Sequence, residues 1–498
     1  MIPACDEILK MAQDFDVIPV CSEIYADVIT PITLLRRIGE RGKRFYLLES
    51  IEGGEKWGRY SFLGFDPIMR VRLKEGKLTV ESSTKEYPSC ELETRTPFDT
   101  LRQILSHFRS PKIKGQPPFT GGFVGYFSYA MIEYAEPTLS ISRGEANDLD
   151  LMLFDRVIAY DHLKQKIEIV VNMRTGRKEG KAGVEYLMNE YGRACRDIEE
   201  IRSMIRSQSP LPPLVSFDKP EFSCNVSKEE YCRIVEKTKE YILDGDIFQA
   251  VISRQFTSPY EGSLLNAYRV LRTTNPSPYM VYMNIDGDEI ISTSPETLVR
   301  LKDGRLTTFP VAGSRPRGAT EEEDLRLEKE LMADEKELAE HNMLVDLGRN
   351  DIGKISRFGT VEVTEYQMVH RYSRIMHICS QVEGTIRDDC DGCSAVESLL
   401  PAGTLSGAPK IRACEIIEEL EQVPRGVYGG ALGYLDFTGN LDTCIAIRMA
   451  VKQNGKVTVQ AGGGIVADSV PEMEYQESAN KAKAVIQAII DAGEVNDR

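Results

Sequence analysis

The sequence has little positive charge for its length. Among 498 residues, 61 are Lys or Arg and 77 are Asp or Glu, so the formal net charge is -16. Nucleic acids and anionic membrane surfaces are bound through basic patches, and we therefore expect neither as a partner. An anionic substrate would need arginine, lysine or metal charge gathered locally in its site.

Long hydrophobic stretches are also absent. The longest uncharged run, residues 115–132, is interrupted by glycine and proline and does not predict a membrane span. The first residues, MIPACDEILKMAQDFD, carry acidic charges that a signal peptide would lack. Eleven cysteines without framework spacing fit reduced thiols. We therefore expect a cytoplasmic protein.

Several motifs that define common enzyme classes are missing. Cys390 and Cys393 form a single C-x₂-C with no second pair, so chance thiols in a loop are a better interpretation than zinc ligands. There is no G-x-G-x-x-G dinucleotide fingerprint and no P-loop. A nucleophile elbow or Ser-His-Asp arrangement is likewise absent, which argues against covalent acyl chemistry.

The composition that remains is that of a globular protein, with 42% hydrophobic residues, 28% charged residues and a mean hydropathy of -0.28. A proline- and serine-rich segment, 207–214, predicts a boundary between an N-terminal region, 1–214, and a larger region, 222–498. Strand-like segments with single helices between them predict an α+β fold with large antiparallel sheets. The stretch 151–171 is typical of a hairpin.

Two pairs of carboxylates stand at helical spacing. Glu337 and Glu340 are one turn apart in the helical stretch 334–351, and Glu474 and Glu477 repeat the spacing, with Lys481 four residues beyond. Carboxylates at i, i+3 can aim at one hard cation such as Mg²⁺. Either pair alone is better interpreted as a solvated acidic face, but two pairs together favour a metal between two helices.

A glycine-rich segment suggests an anion cradle. GTLSGAPK, 403–410, is predicted to run into a helix with Pro409 in its first turn, so that backbone N–H groups and the hydroxyls of Thr404 and Ser406 could bind a carboxylate or phosphate. An ordinary Gly/Ser-rich cap is an equally good interpretation.

Three weaker signals accompany this segment. Gly462–Gly464 would let a ligand approach main-chain N–H groups, although a tight turn has the same pattern. Arg448 lies in a β-branched run and needs an anionic partner if it faces inward, whereas an edge-strand charge is the commoner case. For His377, a buried, hydrogen-bonded histidine is more frequent than acid/base work.

Taken in order, these segments resemble the chorismate-utilising enzymes, and within them the branch that forms anthranilate. The matching stretches are SPE (Ser294–Glu296), PVAGSRPRG (Pro310–Gly318), EKELAEHNMLVDLGRND, PAGTLSGAPK, GVYGGALGY, IAIR and EYQESANKA. They cover nearly all of the chain after Ser227, and RYSFLG and GGFVGYFSY extend the likeness into the N-terminal region.

The resemblance implies a fold in which two α+β regions pack their sheets as a sandwich with helices outside. It implies amination of chorismate by ammonia, loss of the C4 hydroxyl and elimination of pyruvate, with Mg²⁺ as cofactor. Because the chain has no glutaminase signature, it also implies a separate glutamine amidotransferase subunit that supplies ammonia.

The resemblance further implies a role for individual residues. Glu296 would protonate the departing hydroxyl, and Thr404 and its loop would bind the ring carboxylate, with Ser314 and His377 lining the ring pocket. The metal would be held by Glu340 and Glu477, supported by Glu337 and Glu474. The enolpyruvyl carboxylate would be bound by Tyr428, Arg448, Gly462, Gly463 and Gly464, with Lys481 close by.

A few positions separate subfamilies. Aminodeoxychorismate synthases usually carry a lysine where this chain has Ala312, and isochorismate-type enzymes carry a lysine base where it has Gln249. Ser314 and Gly463 replace the usual threonine and alanine without removing the needed chemistry. The alternatives are an aminodeoxychorismate synthase, a catalytically silent binding subunit and, with least support, a nucleotide-binding enzyme.

A tryptophan-inhibition site is implied by two further stretches. LLES supplies Glu49 and Ser50, and SPYM supplies Pro278, Tyr279 and Met280. A carboxylate, a hydroxyl and apolar side chains suit an amino acid with an indole ring, although an ordinary core strand has the same pattern.

Overall fold

The computed structural model describes residues 2–50, 58–181, 183–212, 214, 219–371 and 375–495. Similar numbers of these residues lie in helices and in strands. The bounds of the strands are Val17–Tyr25 (β1), Arg44–Glu49 (β2), Tyr60–Phe65 (β3), Met69–Lys74 (β4), Lys77–Ser82 (β5), Cys90–Glu93 (β6), Gly122–Phe127 (β7), Leu149–Phe154 (β8), Arg156–Asp161 (β9), Lys166–Arg174 (β10), Ser223–Cys224 (β11), Gln249–Pro259 (β12), Tyr279–Ile285 (β13), Asp288–Ser294 (β14), Thr297–Lys302 (β15), Arg305–Thr308 (β16), Val311–Pro316 (β17), Glu362–Arg371 (β18), Ile375–Thr385 (β19), Gly407–Ala408 (β20), Ala431–Asp436 (β21), Leu441–Ile445 (β22), Met449–Gln453 (β23) and Lys456–Ile465 (β24).

Helices connect or follow these strands. Their bounds are Cys5–Met11 (α1), Pro31–Gly39 (α2), Pro97–Leu105 (α3), Ile132–Ala135 (α4), Val184–Arg206 (α5), Lys228–Leu243 (α6), Leu265–Thr274 (α7), Glu321–Met332 (α8), Glu335–Gly353 (α9), Gly392–Leu399 (α10), Lys410–Leu420 (α11) and Pro471–Asp491 (α12). In the part of the chain that the structure describes, none of them combines the length and apolar character needed to span a bilayer.

The strands form two antiparallel sheets. The first has the order β1-β10-β9-β3-β2-β13-β14-β23-β24-β12-β11, with β20 also paired to β12. The second has the order β17-β19-β16-β15-β22-β21-β7-β8-β4-β5-β6, with β18 also paired to β19. Half of the pairings join strands that are consecutive in sequence, and the other half join strands from separate parts of the described chain.

Both sheets cross the boundary that the proline-rich segment predicts. In the first sheet β2 pairs with β13, placing Glu49 opposite Met280, and in the second β7 pairs with β21, placing Gly125 opposite Gly433. At Gly125 a Cβ atom would lie 2.0 Å from the carbonyl oxygen of Asp150, so only glycine fits between its neighbours. The division at 207–214 stays a prediction, but the two regions share both sheets.

Three apolar layers show how the sheets stack. Tyr46, Val281, Met152 and Leu432 belong to a cluster between the two sheets. The neighbour of Tyr46 on β2, Leu47, points the other way into a core with α5, α7 and α12, as expected from strand alternation. A third core packs the second sheet against α3 and α10. The α+β sandwich with helices outside is therefore confirmed.

The predicted hairpin at 151–171 is only partly correct. The segment holds three strands: β8 belongs to the second sheet, while β9 and β10 form a hairpin in the first. The chain passes between the sheets at Asp155, which is itself buried. Because β8 is buried on both faces, its apolar pattern does not reveal which sheet it joins.

Candidate active site

The two carboxylate pairs lie on α9 and α12 and face a common space. Burial raises the pKa of Glu340, and the negative charges of Glu337 on its own helix and Glu477 on α12 raise it further. The pKa of Glu474 is likewise raised by burial and by Glu477. Tertiary structure thus brings together residues that are more than 130 positions apart in the sequence.

Two cations partly neutralise this acidic space. Lys481 Nζ lies 2.8 Å from Glu477 Oε1 and donates to the carbonyl oxygen of Gly462 over 3.1 Å. Arg315 Nη1 lies 3.6 Å from Glu337 Oε1. Glu340 has no ion pair with any described residue, although it is half-buried.

The donor set consists of oxygen atoms only, which fits a hard divalent cation such as Mg²⁺. Among the described residues, however, no three Asp, Glu, His or Cys side chains already stand at metal-binding distances. The ion pair with Lys481 holds Glu477 instead. A metal ion bound between the two helices would compete with Lys481 for the carboxylate of Glu477.

Glu296 lies in the connection between β14 and β15. Its side chain is buried, and Oε1 accepts a hydrogen bond from Thr404 Oγ1 over 3.1 Å. Burial raises the pKa of Glu296 to about 8, against the opposing effects of Thr404, Arg448 and Lys481. At neutral pH this carboxyl group is therefore mostly protonated and can act as a general acid.

The glycine-rich segment differs from the predicted helix start. Thr404 lies in a short 3₁₀ turn, Gly403–Leu405, and α11 begins only at Lys410, with Pro409 as its N-cap and not in the first turn. The hydroxyl of Ser406 is buried and donates to the carbonyl oxygen of Ala402. Of the two predicted hydroxyls, only that of Thr404 faces Glu296. The prediction was wrong about Ser406 because its hydrogen bond closes the turn.

Arg448 does not lie within a strand, contrary to the sequence pattern. It stands between β22 and β23 with a left-handed backbone conformation, φ 46°. The guanidinium makes no hydrogen bond or ion pair with the described residues. Burial lowers its pKa, and the nearby carboxyl of Glu296 opposes that effect. A buried cation of this kind is ready to bind an anionic ligand.

The three glycines belong to β24 and not to a turn. A Cβ atom at Gly463 would lie 3.0 Å from Glu474 Oε2, so the missing side chain lets the carboxylate of α12 approach the strand. A Cβ at Gly464 would lie 2.1 Å from Gln249 Nε2. Tyr428 is buried nearby, and its hydroxyl interacts with the main chain of Gly462.

Ser314 and His377 lie opposite each other on β17 and β19. The ring nitrogen Nδ1 of His377 is 3.0 Å from the carbonyl oxygen of Gly313, so it is assigned as the N–H donor. Burial lowers the pKa of His377 to about 4. The imidazole is therefore neutral at physiological pH and suits orientation or hydrogen bonding better than cationic chemistry.

The residues of the predicted tryptophan site are only partly brought together. Glu49 and Met280 are register partners, whereas Tyr279 points to the opposite face of β13, where its hydroxyl lies 2.7 Å from Asp442 Oδ1. Pro278 directly precedes β13. Ser50 follows Glu49, and its hydroxyl is buried without a hydrogen-bond partner in the described parts of the chain.

The sequence did not single out the residues that hold Glu49. Its carboxylate accepts hydrogen bonds from Tyr268 over 2.8 Å, from Ser61 over 3.0 Å and from both Nε and Nη2 of Arg272. The i, i+4 spacing of Tyr268 and Arg272 in a helical stretch was the available signal. This spacing points to Glu49 only because α7 packs over β2 in the fold.

The sandwich fold and this arrangement of acids and cations define the class of protein. A family model described as "chorismate binding enzyme" matches residues 43–487, and the chain belongs to that family. Within the family it is similar to proteins named "Anthranilate synthase component 1". The relative from Acetivibrio thermocellus is 46% identical over 495 residues, covering 99% of each chain, and that from Aquifex aeolicus is 43% identical, covering 97% of each.

Solved structures of similar proteins agree with this family assignment. The crystal structure of anthranilate synthase component I from Streptococcus pneumoniae TIGR4 matches with a TM-score of 0.75 and 33% identity, covering 93% of this chain and 99% of that one. MenF, the menaquinone-specific isochorismate synthase from Escherichia coli, matches with a TM-score of 0.68 at 19% identity, covering 98% and 99%, and shows the shared fold.

Proposed function

We propose that this chain is the large subunit of an anthranilate synthase. It converts chorismate and ammonia to anthranilate, pyruvate and water. The observation that carries the proposal is the buried carboxyl of Glu296, whose pKa is raised to about 8 by burial and which is held by Thr404 and lies close to the two cations Arg448 and Lys481.

The acid step uses Glu296. Ammonia forms a bond to ring C2 while the bond to the C4 oxygen breaks, and the departing hydroxyl takes the Glu296 proton and leaves as water. Such a step needs a carboxyl group that is still protonated near neutral pH, which burial provides here. Thr404 holds the acid in position with its hydroxyl, and the main-chain N–H groups of Thr404 and its loop bind the ring carboxylate.

The remaining residues bind the substrate dianion. Arg448 and Lys481 supply positive charge, and the hydroxyl of Tyr428 and the strand N–H groups of Gly462–Gly464 supply hydrogen-bond donors. Ser314 and neutral His377 line the ring pocket. In a protein with net charge -16, this local charge offsets the cost of desolvating two carboxylates.

Mg²⁺ completes the charge balance. Glu340 and Glu477 would hold it, with Glu337 and Glu474 supporting it, and when bound it would neutralise the ring carboxylate of chorismate. The oxygen-only donor set, gathered from two helices, supports this assignment.

Gln249 favours amination over hydration. An amide cannot take a proton from water, whereas ammonia is itself a nucleophile and needs no base. Gln249 is buried, and its Oε1 has no hydrogen-bond partner in the described residues. The second candidate is an aminodeoxychorismate synthase, but Ala312 offers no side-chain nucleophile, and the names of the relatives favour the anthranilate product.

Partner and regulation follow from the same proposal. A glutamine amidotransferase subunit, component II, supplies ammonia in the cytoplasm, and tryptophan inhibits the enzyme by binding near Glu49 and Ser50. The name "component 1" carried by the relatives supports a second component.

The test is anthranilate fluorescence from purified protein given chorismate, Mg²⁺ and ammonium, with EDTA and tryptophan added separately. Fluorescence that EDTA abolishes and tryptophan suppresses supports the proposal. Chorismate consumption without anthranilate supports the aminodeoxychorismate or isochorismate alternative. No turnover at high ammonium, with chorismate still bound, supports a silent binding subunit.

A further inference from the structure

A pair of opposite charges is buried behind the candidate active site. The side chains of Glu421, which directly follows α11, and Arg425 are only 4% and 3% exposed. Nε and Nη2 of Arg425 donate to the two carboxylate oxygens of Glu421 over 2.8 Å and 2.6 Å. A bidentate pair of this kind neutralises both charges, as a buried position requires. Neither charge is therefore left over for a ligand.

The guanidinium of Arg425 also binds two main-chain carbonyl groups. Nη1 donates to the carbonyl oxygen of Leu405, and Nη2 donates to that of Val251 over 2.6 Å. Leu405 is the last residue of the 3₁₀ turn and directly follows Thr404, while Val251 belongs to β12. One side chain therefore ties the turn that carries Thr404 to the first sheet.

The main chain of Arg425 holds a second element of the site. Its carbonyl oxygen accepts a hydrogen bond from the N–H group of Tyr428 over 3.1 Å. The guanidinium carbon lies 5.9 Å from the centre of the Tyr428 ring and 4.6 Å from that of Tyr129, so the cation faces both aromatic rings. Arg425 thus contacts both Tyr428 and the turn of Thr404.

The buried cations Arg425 and Arg448 are suited to different tasks. Burial lowers the pKa of Arg448, which has no ion pair among the described residues, so this guanidinium can bind an anionic ligand. Burial acts in the same direction on Arg425, but the carboxylate of Glu421 outweighs it and the pKa of Arg425 is raised. Arg425 therefore stays charged and spends its donors on acceptors of the protein.

We propose that Arg425 is a positioning residue of the active site. Together with Glu421 it fixes the turn of Thr404 relative to Tyr428, and in the proposed function these two elements bind the two carboxylates of chorismate. Through Thr404 it also orients the acid Glu296. The inference rests on the proposed function and adds a residue that does not itself touch the substrate.

The test removes both buried charges together, so that neither is left unpaired. In Arg425→Met/Glu421→Gln the amide oxygen can still accept the two hydrogen bonds that Ser253 donates to Glu421. Without Arg425 the turn shifts and weakens the bond from Thr404 to Glu296, so the alkaline limb of the kcat–pH profile should move up by about half to one pH unit. The KM for chorismate should rise about fivefold or more, because both carboxylate-binding elements are released.

Arg70→Met/Asp150→Asn is the matched control. Arg70 Nη2 and Asp150 Oδ2 form a buried ion pair of 2.7 Å between β4 and β8, which contribute no residue to the candidate site. This variant also loses a buried ion pair. Its alkaline limb should stay in place and its KM for chorismate should stay within about twofold, even if its thermal stability falls.

Combination with Thr404→Val separates positioning from stabilisation. If Arg425 acts through Thr404, the combined variant should have the same alkaline limb as Thr404→Val alone. A combined shift equal to the sum of the separate shifts would overturn this route. If the paired variant does not fold, Arg425→Lys replaces it, because a single ammonium group near Glu421 cannot bind both carbonyl groups, and its shift should be smaller and in the same direction.

A folded variant with an unchanged alkaline limb and an unchanged KM for chorismate would overturn the inference and leave Arg425 with a purely stabilising role. An unsubstituted chain that makes no anthranilate from chorismate and ammonium would overturn the proposed function as well. The activity of the unsubstituted chain therefore distinguishes the two failures.

Discussion

Thr404 donates its hydroxyl hydrogen to Glu296 over 3.1 Å, joining the 3₁₀ turn before α11 to the connection between β14 and β15. The bond spans 108 positions of sequence and fixes one oxygen of a buried carboxyl. The proposed acid is therefore held in one orientation by a residue of the proposed carboxylate-binding turn.

The first prediction concerns this acid. Because burial raises the pKa of Glu296 to about 8, kcat should fall as pH rises through about 8, where the acid loses its proton. Glu296→Gln should lower kcat by about 10²–10⁴-fold, the usual contribution of a general acid. The measurement is a kcat–pH profile of ammonia-dependent activity, with chorismate binding measured separately.

Thr404→Val provides the control for this profile. Its hydrogen bond lowers the pKa of Glu296, so its removal should move the alkaline limb to higher pH. If the alkaline limb of the kcat–pH profile does not move in Thr404→Val, a group other than Glu296 titrates there.

The second prediction concerns Lys481 and the metal. The ammonium group competes with a metal ion for Glu477, so Lys481→Met should increase the affinity of the protein for Mg²⁺ by about three- to tenfold through loss of one nearby positive charge. Isothermal titration of Mg²⁺ into the substrate-free protein measures this directly.

Lys483→Met, an exposed lysine of the same helix, is the matched control. Equal Mg²⁺ affinity in Lys481→Met and the control would show that Lys481 does not compete with the metal.

The third prediction concerns the acid stability of the fold. His341 is fully buried, its Nε2 lies 2.6 Å from Ser380 Oγ, and burial lowers its pKa from 6.5 to about 4. Below pH 6.5 the imidazole of His341 becomes protonated in the unfolded chain. In the folded chain it stays neutral until the pH approaches 4. The stability from this residue is therefore fully present above pH 6.5 and is lost as pH falls towards 4.

Urea unfolding at pH 7 and pH 5 tests this linkage. Between these values His341 should account for a loss of about 2 kcal/mol in the free energy of unfolding, and His341→Gln should remove that part of the pH dependence. A pH dependence of His341→Gln identical to that of the unsubstituted chain would contradict the assignment.

The fourth prediction concerns regulation. The hydroxyl of Ser50 is buried without a hydrogen-bond partner in the described residues, so it is available to a ligand. Ser50→Ala should weaken tryptophan inhibition by about five- to tenfold, the value of one hydrogen bond, while thermal stability and uninhibited activity change little. The measurement is the tryptophan concentration for half-inhibition of ammonia-dependent activity.

Ser110→Ala supplies the matched control, because Ser110 has a similarly unpartnered buried hydroxyl elsewhere in the fold. Its inhibition curve should match that of the unsubstituted chain. A Ser50→Ala curve that also matches would place the tryptophan site away from Ser50.

Local sequence patterns predicted the parts of the site that depend on helix or strand geometry. The i, i+3 spacing of Glu337 and Glu340 is a property of α9 itself, and it was predicted from the helical stretch 334–351. The order of the motifs also indicated the α+β sandwich and the family.

Local sequence patterns did not predict the contacts between distant segments. The pattern of the stretch 151–171 did not indicate that the chain passes from one sheet to the other at Asp155. The β-branched run around Arg448 predicted a strand, whereas Arg448 has a left-handed backbone conformation. Ser406 looked like a ligand-binding hydroxyl until its hydrogen bond to Ala402 appeared. In each case the outcome depends on which segments pack together, and a short window of sequence does not contain that information.

The sequence by itself determined which side chains are available: two carboxylate pairs, a single acid in SPE, and a threonine in a glycine-rich turn. Only the tertiary structure decided their chemistry. Burial between distant segments makes Glu296 an acid at neutral pH, and the approach of α12 to α9 couples Glu340 to Glu477. Desolvation and Coulomb interactions depend on distance in space and not along the chain, so these properties exist only in the folded protein.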